Sequence, residues 1–293
     1  MEKIKNYEIF FCGISKNCVE HIEKNLSFIE KFVQSFPDFK IKAIFVDSDS
    51  TDGTKEFLLN YTKEKPYFVY KNLDNLETKY SNRIERITIS RNNCIEQIQK
   101  IKTGEQVIYI PIDLDIDLFR FTNVNQFLDL ITNNFKEEGD NAIFPFSKPF
   151  YYDIFALRAK GWVNHNSQFW VIRLKKYFKI GSFFYNYIFI FRYQISLNKF
   201  KTLKTNIESA FGGIGIYFIN NFNDNFTYNV SETQPSDISE HVIFNSRFEN
   251  LNILHNWNIP APKQHLEYKN LGAKEKINYF FKSFKNDFKN IFN

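Results

Sequence analysis

An apolar run that ends in alternating carboxylates constrains this chain more than any other feature. Residues 107–112 form the run, and Asp113, Asp115 and Asp117 follow it. A continuous β-branched and aromatic run of this kind indicates a strand buried on both faces of a parallel sheet. The acids then lie at the carboxyl end of the strand, where open α/β sheets bind ligands. Because crowded carboxylates repel one another unless they share a cation or a proton, the pattern favours a divalent metal.

Composition sets limits on the class of protein. The chain has 293 residues, 43% of them hydrophobic, and a mild net charge of +5. Its cysteines, Cys12, Cys18 and Cys94, are odd in number and lack metal-ligand spacing, so we expect reduced, buried thiols and a cytoplasmic protein. Residues 1–14 lack the features of a signal peptide, and the apolar run 183–191 is shorter than the roughly 20 residues that span a bilayer. No basic run has the pattern of a nucleic-acid module, so we expect no nucleic-acid partner.

The order of apolar patterns predicts β-α-β units around a parallel sheet. Strands are expected at residues 9–14, 41–46, 67–70, 107–112 and 142–146, and helices at 19–36, 54–61, 81–100 and 124–135. Residues 151–158 are interpreted as a further strand, and 208–217 as a strand whose glycines allow close backbone approach. Two interpretations of residues 168–204 stay open: an insertion that is flexible or faces the acceptor, and an aromatic-rich helical layer.

The C-terminal residues 274–292 predict a basic amphipathic helix. Its apolar face holds Ile277, Phe280, Phe281, Phe284, Phe288 and Ile291, and its lysines lie elsewhere. Such a helix suits the surface of an anionic membrane, which would make the protein peripheral on the inner face of the membrane. Alternatively, the phenylalanines pack onto the domain.

Three polar stretches together resemble the nucleotide-sugar half of the GT-A glycosyltransferases. They are residues 46–54 (VDSDSTDGT), 90–93 (SRNN) with Gly104 and Glu105, and the acids 113–115 (DLD). The match covers about the first 120 residues. It implies an α/β fold with a mostly parallel, Rossmann-like sheet flanked by helices. It also implies transfer of a sugar from a nucleoside-diphosphate donor to a glycan or glycolipid acceptor.

Further stretches resemble the capsule-associated (cryptococcal-type) mannosyltransferase family and its bacterial relatives. They are Arg83-Ile84, residues 151–158, residues 211–213 (FGG), residues 239–241 (SEH) and Ile259-Pro260. This resemblance implies a hexosyltransferase, with mannose as a candidate sugar, in the synthesis of capsular polysaccharide or lipopolysaccharide. We divide the chain into a transferase domain at 1–260, with a nucleotide-binding half (1–120) and an acceptor half (121–260), and a C-terminal helix at 261–293.

The GT-A resemblance also implies roles for single residues. Asp113 would meet the ribose or the metal, Asp115 would bind Mn²⁺ or Mg²⁺ directly, and Asp117 would support it. A hard cation held by oxygen ligands can take up the charge that develops on a diphosphate leaving group. The residues implied to contact the donor are Asp47, Ser48, Asp49, Arg83, Arg91, Gly212 and Gly213. At Ser48 the commonest pattern has an acid, so the sequence departs from the family there.

Several residues are candidates for the general base at the acceptor, and two histidines are candidates for a metal ligand. Transfer with inversion needs a carboxylate to take the proton of the attacking hydroxyl, whereas transfer with retention can proceed without one. Glu240 is the first choice because His241 and Arg247 lie near it in sequence, and Glu208 and Asp153 are the others. His255 or His241 is the candidate for completing the metal shell.

Other interpretations of the acidic cluster stay open. It could be a solvated loop after a buried strand, or the site of a phosphoaspartyl hydrolase with Asp113 as nucleophile. An EF-hand loop is disfavoured, because Leu118 stands where that loop needs glycine and Val124 where it needs glutamate. A non-catalytic sugar-binding or membrane-binding module on the same fold is a further alternative.

Overall fold

A seven-stranded sheet forms the centre of the computed structural model, which describes residues 2–136, 139–228 and 237–292. Its strand order is β3-β2-β1-β4-β8-β5-β9. The strands are β1 (Glu8–Ser15), β2 (Lys40–Asp47), β3 (Phe68–Asn72), β4 (Val107–Asp113), β5 (Asn141–Lys148), β8 (Ile216–Ile219) and β9 (Asn250–Pro260), and β6 (Arg158–Lys160) pairs with β7 (Asn206–Ser209) in a separate ribbon. Four of the six pairings in the large sheet are parallel, and only β8 runs against its neighbours. The predicted α/β architecture is therefore confirmed.

Helices cover both faces of the sheet. They are α1 (Val19–Ser35), α2 (Thr54–Thr62), α3 (Leu76–Lys79), α4 (Arg83–Ile101), α5 (Val124–Asn134), α6 (Ser167–Tyr177), α7 (Ser182–Phe189), α8 (Leu197–Thr202), α9 (Glu240–Asn245), α10 (Glu267–Asn270) and α11 (Ala273–Phe292). On one face α1 and α5 bury Phe32 and Phe127 against Phe11 of β1. On the other face α4 buries Cys94 in the cluster that contains Phe10 of β1. Alternate residues of β1 therefore belong to opposite cores, as expected for a strand covered on both sides.

The order in which strands are added to the sheet reverses at β1, and this reversal creates a crevice at the carboxyl ends of the strands. It runs from β1 to β2 and then β3 on one side, and returns to pair β4 with the other side of β1. Connections leave the carboxyl ends of β1 and β4 in opposite directions at such a point, which leaves the space where open sheets bind ligands. The register sets Ser15 beside Asp47 and Ile14 beside Asp113. Three polar residues therefore meet at one edge of the sheet.

The structure corrects two of the expected strands. Residues 151–157 form a loop, because the Asp153 carboxylate accepts the Ala156 N–H and Ser147 Oγ accepts the Tyr152 N–H in place of strand partners. Gly212 and Gly213 lie in the turn between β7 and β8, not within a strand. Their φ angles of +79° and +94° are left-handed, which a strand does not allow.

The aromatic region at residues 168–204 contains helices α6, α7 and α8, as the helical-layer interpretation expects. The C-terminal helix is confirmed as α11, although the side chain of Ile291 and all of residue 293 lie outside the described residues. No helix in the described ranges is both long and apolar enough to cross a bilayer. All three cysteines are free and buried, as predicted.

Candidate active site

A cavity of about 560 Å³ opens at the carboxyl ends of β1, β2 and β4. Its wall includes Ser15, Ser48, Asp113 and Asp115 from the sheet edge, Arg83 from α4, Asp153 from the loop before β6, and Glu240 and His241 from α9. The structure thus brings together residues that the sequence scatters over much of the chain. A cavity at the topological switch point with several charged groups is the expected place for a ligand.

Arg91 of α4 is the buried cation of this site, with only 1% of its surface exposed. Its Nη2 donates to Asp113 Oδ1 and its Nη1 donates to the carbonyl of Ile112 at 3.3 Å. Its Nε lies 3.9 Å from Glu240 Oε1. Burial opposes the charge, but the Asp113 carboxylate raises the pKa of Arg91 above its ordinary value, so the guanidinium stays charged. Arg91 was expected to reach the nucleotide; instead it lies behind the cavity wall and joins two carboxylates.

Asp113 ends β4, where burial and the neighbouring Arg91 act on its carboxyl in opposite directions. Burial raises the pKa of Asp113 to about 7, against the opposing effect of Arg91. Its backbone N–H donates to the Gly213 carbonyl at 2.8 Å. A side chain at Gly213 would lie 3.0 Å from Ile116 Cδ1 and 3.2 Å from Tyr152 Oη, so the turn needs glycine there. The glycine turn holds Asp113 from behind and does not line the cavity.

Asp115 presents its exposed side chain to the cavity and makes no hydrogen bond or ion pair within the described chain. Its loop is held by the fully buried Asn25 of α1. The Asn25 amide donates to the Ile116 carbonyl at 2.7 Å, and its Oδ1 accepts the Leu118 N–H at 3.2 Å. Asp117 is placed differently, because it lies outside the cavity and pairs with Lys24 at 3.5 Å.

The site fits a hard divalent cation that is completed by its substrate. Among the described residues no three His, Cys, Asp or Glu side chains converge as a metal cluster. Mg²⁺ is usually held by one or two carboxylates together with substrate phosphates, however, and keeps several waters. Asp115, which has no protein partner, and Asp113 beside it supply such a pair. These two carboxylates would hold Mn²⁺ or Mg²⁺, and Asp117 would not.

Of the polar residues at the end of β2 and just after it, one lines the cavity and two hold the loop behind it. Ser48 lines the cavity, as predicted. Asp47 is fully buried behind it and accepts hydrogen bonds from Ser15 Oγ at 2.9 Å and Ser50 Oγ at 2.5 Å. Asp49 turns away, and its carboxylate accepts the backbone N–H groups of residues 75 and 77 at 2.6 and 2.9 Å. Asp47 and Asp49 therefore shape the loop, and Ser48 faces the cavity.

Cationic side chains line the side of the cavity formed by α3 and α4. Lys16 and Arg86 both pair with Glu77, which neutralises part of their charge. Arg83 lines the same cavity, is exposed, and forms no ion pair with any residue that the structure describes. Its charge is therefore available to an anionic group of a ligand.

The three candidate bases differ in their position relative to the cavity and in the groups that bind their carboxylates. Glu208 is excluded from the cavity: it pairs with Lys160 at 2.9 Å on the surface. Asp153 lines the cavity, but both of its oxygens accept backbone N–H groups, from Gly212 at 2.9 Å and Ala156 at 3.3 Å. Glu240 lies at the first turn of α9 and is 8% exposed. Burial raises the pKa of Glu240 and, separately, that of Asp153.

Three histidines have distinct positions. His255 is exposed and lies outside the cavity, because the β9 ladder skips it at an irregularity opposite Pro145 and Phe146. His241 lines the cavity and stacks on Phe211 with ring centroids 3.5 Å apart, and burial lowers its pKa, which keeps the ring neutral. His265, which sequence reasoning missed, also lines the cavity and is exposed. No spacing in the sequence distinguishes His265 from His255.

The raised pKa of Glu240 leads to a stability prediction for Glu240→Gln. The folded protein keeps a proton at Glu240 that the unfolded chain loses above about pH 4.3, so this group lowers stability as pH rises from there through the folded pKa. We expect the free energy of unfolding of Glu240→Gln, relative to that of wild type, to be higher at about pH 8 than at about pH 5. Urea unfolding at both pH values measures the difference. Glu208→Gln is the exposed control, and an equal gain in both variants would refute the assignment.

Comparisons with known proteins show distant structural likeness only. No protein-family model matches the chain, and no curated protein matches it. The solved structures that it resembles include S. aureus TarS 1–349, at 12% identity over 96% of this chain and 71% of that one, with a TM-score of 0.45. Mannosyl-3-phosphoglycerate synthase from Rubrobacter xylanophilus is 10% identical over 99% and 75% of the two chains, with a TM-score of 0.41. The mannosyltransferase PcManGT from Pyrobaculum calidifontis, in complex with GDP-Man and Mn²⁺, is 20% identical over 50% and 37%, with a TM-score of 0.32.

Proposed function

We propose that the protein is a glycosyltransferase of the GT-A type that moves a hexose from a nucleoside-diphosphate sugar to a glycan or glycolipid acceptor and uses Mn²⁺ or Mg²⁺. Residues 1–120 would bind the nucleotide, 121–260 the acceptor, and 261–293 would form an appended helix. Mannose is the candidate sugar, and a surface polysaccharide the candidate product, on the sequence resemblance described above.

One observation supports this function above the others: the carboxylate of Asp115 and the guanidinium of Arg83 line the same switch-point cavity, and neither has a protein partner among the described residues. A diphosphate bridged to a divalent cation presents both signs of charge, so it can use both groups.

The bound cation would stabilise the negative charge on the departing diphosphate. The residues of the chain would do the rest. Arg83 would hold a phosphate oxygen, and Ser48 would lie against the nucleoside. Glu240, whose pKa is raised by burial, would take the proton of the acceptor hydroxyl as the general base. His241, held against Phe211, would contact a sugar hydroxyl through a ring nitrogen.

A nucleotide panel tests the donor site. UDP, GDP, CDP and dTDP, and their sugar conjugates, are added to the full chain with Mn²⁺ or with the metal chelated, and the melting temperature is recorded. A ligand at about 100 times its Kd adds roughly 2.7 kcal/mol to stability. We expect one base to raise the melting temperature only when metal is present. Mn²⁺ alone is the control, and no shift with any nucleotide would refute the proposal.

Turnover distinguishes the candidate bases. If Glu240 is the base, Glu240→Gln lowers kcat by about 10²- to 10⁴-fold, with little change in the metal-dependent nucleotide shift. Glu208→Gln, on the surface, is expected to retain wild-type kcat. Steady-state transfer assays with the sugar conjugate found in the panel measure both. Unchanged kcat in Glu240→Gln would remove Glu240 from the reaction.

A further inference from the structure

The C-terminal helix α11 is fixed to α7 along one side. The Asp287 carboxylate accepts the N–H groups of Gly181 and Ser182, each at 2.9 Å, and Ser283 Oγ lies 2.9 Å from Ser182 Oγ. The Phe280 ring packs edge-on against Phe184, with centroids 5.6 Å apart. These contacts hold the helix in one orientation and determine which of its sides remains open.

The open side is apolar. Ile277, Phe281, Phe284 and Phe288 recur at spacings of four, three and four, which places them on one stripe of a helix. Their exposed fractions are 58%, 64%, 39% and 42%. Packing on the domain therefore uses a different side of α11, and the aromatic stripe itself is left in solvent.

The stripe continues onto the neighbouring elements. Phe184 of α7 is 53% exposed and meets the stripe through Phe280, and the turn between α6 and α7 adds exposed Phe178 and Ile180. We call this set the α7–α11 surface; its members are Phe178, Ile180, Phe184, Ile277, Phe281, Phe284 and Phe288. The stripe and Phe184, joined through Phe280, form a cluster of exposed apolar groups, which marks an interaction site and is not usual on a free surface.

The charge around the α7–α11 surface is almost all positive. Residues 167–189 contain four basic residues and no acid. Residues 273–289 contain five lysines against Glu275 and Asp287, and Asp287 is buried in its contact with α7. Lys274, Lys282, Lys285 and Lys289 are exposed along α11.

We propose that the α7–α11 surface binds the surface of an anionic lipid bilayer. Phenylalanines on one stripe with lysines beside them are the composition of helices that lie in the plane of the interface, where the rings enter the acyl boundary and the lysines reach the headgroups. A second copy of the chain fits poorly, because a two-fold contact would set these lysines against the same lysines of the partner. The surface is built from two packed elements, so the helix does not need to fold on binding.

A second cavity beside this surface suits the same partner. It has a volume of about 600 Å³ and lies between α6, α7 and α11. Its wall holds Lys175, Lys179 and Lys282, and also the carboxylates of Glu267 and Asp287. The Asp287 carboxylate is already bound to the N–H groups of Gly181 and Ser182, so the three lysines outweigh the remaining acid and can receive a lipid phosphate. Anionic headgroups would therefore contact the protein both on the flat stripe and within this cavity.

Vesicle co-sedimentation of the full chain tests the proposal. We expect binding to phosphatidylcholine vesicles that contain phosphatidylglycerol, weaker binding at high salt, and much weaker binding to phosphatidylcholine alone. Phe281→Ser/Phe288→Ser is expected to lower the partition coefficient by at least about tenfold. Its control, Leu59→Ser/Phe121→Ser, changes apolar residues of similar exposure away from this surface and is expected to have no effect.

The charge contribution has its own variant pair. Lys282→Glu/Lys285→Glu/Lys289→Glu is expected to lower the partition coefficient on the order of a hundredfold or more. Lys31→Glu/Lys40→Glu/Lys63→Glu makes the same change in net charge elsewhere on the surface and should bind nearly as wild type. Melting temperatures show that each variant is folded. Equal losses in both triple variants, or a dimer abolished by Phe281→Ser/Phe288→Ser without vesicle binding, would overturn the proposal.

Discussion

Arg91→Met is expected to lower the free energy of unfolding by about 3 kcal/mol above neutral pH, because removing one partner of a buried ion pair leaves the other charge without compensation. This is the lower end of the usual range, since the Asp113 side chain is 32% exposed. Here two carboxylates, Asp113 and Glu240, lose their common cation. Both have raised pKa values and take up protons as pH falls. The destabilisation should therefore be smaller at about pH 5 than at about pH 8, which urea unfolding at both values measures.

Two further variants show whether the charge is the cause. Arg120→Met removes an arginine that is exposed and outside the site, and is expected to change stability by less than about 0.5 kcal/mol. Arg91→Met/Asp113→Asn removes one of the two uncompensated charges and should recover part of the loss. If Arg91→Met were equally destabilised at both pH values, lost packing and not lost charge would explain the effect.

Asp115→Ala is expected to lower the transfer rate by about 10²- to 10³-fold, since the cation that it would hold contributes several kcal/mol to the stabilisation of the transition state. Its fold should be preserved, because an exposed side chain with no protein partner contributes within about 0.5 kcal/mol to stability. The metal-dependent part of the nucleotide shift should disappear with it. Transfer assays and melting curves on the same preparations measure both effects.

Asp117→Ala is the matched control for Asp115→Ala. It removes a carboxylate of the same loop, but one that lies outside the cavity and pairs with Lys24. It should keep wild-type transfer. Equal losses in the two variants would contradict the assignment of Asp115 as the metal ligand. Full retention of nucleotide binding in Asp115→Ala, with no transfer by wild type, would favour a binding module over an enzyme.

Sequence patterns could predict the fold around β4 because each signal there is local. A run of apolar residues specifies a doubly buried strand, and the alternating acids that follow it lie at its carboxyl end by geometry alone. The same holds for α11, whose period of apolar residues is sustained over several turns. Asp115, Ser48 and Glu240 were found in this way or by resemblance, and all three line the cavity.

The parts that sequence could not predict depend on contacts between distant segments. Arg91 lies between Asp113 and Glu240 and not in the cavity wall, because α9 packs beside α4. No local sequence pattern encodes that packing. His255 is removed from the site by an irregularity in β9, and His265 enters it from the turn after that strand. The glycine turn at Gly212 was interpreted as a strand because its flanking residues have strand composition.

The buried amide of Asn25 orders the Asp115 loop before any ligand binds. Its side chain binds the backbone of Leu114, Ile116 and Leu118, on both sides of Asp115, so the loop is held when α1 packs on the sheet and less ordering entropy is lost when a ligand arrives. Folding and ligand affinity are thereby coupled through one side chain on a helix that does not touch the ligand. A change at Asn25 would weaken binding by mobilising the loop that carries Asp115, although it would remove no side chain of the cavity wall.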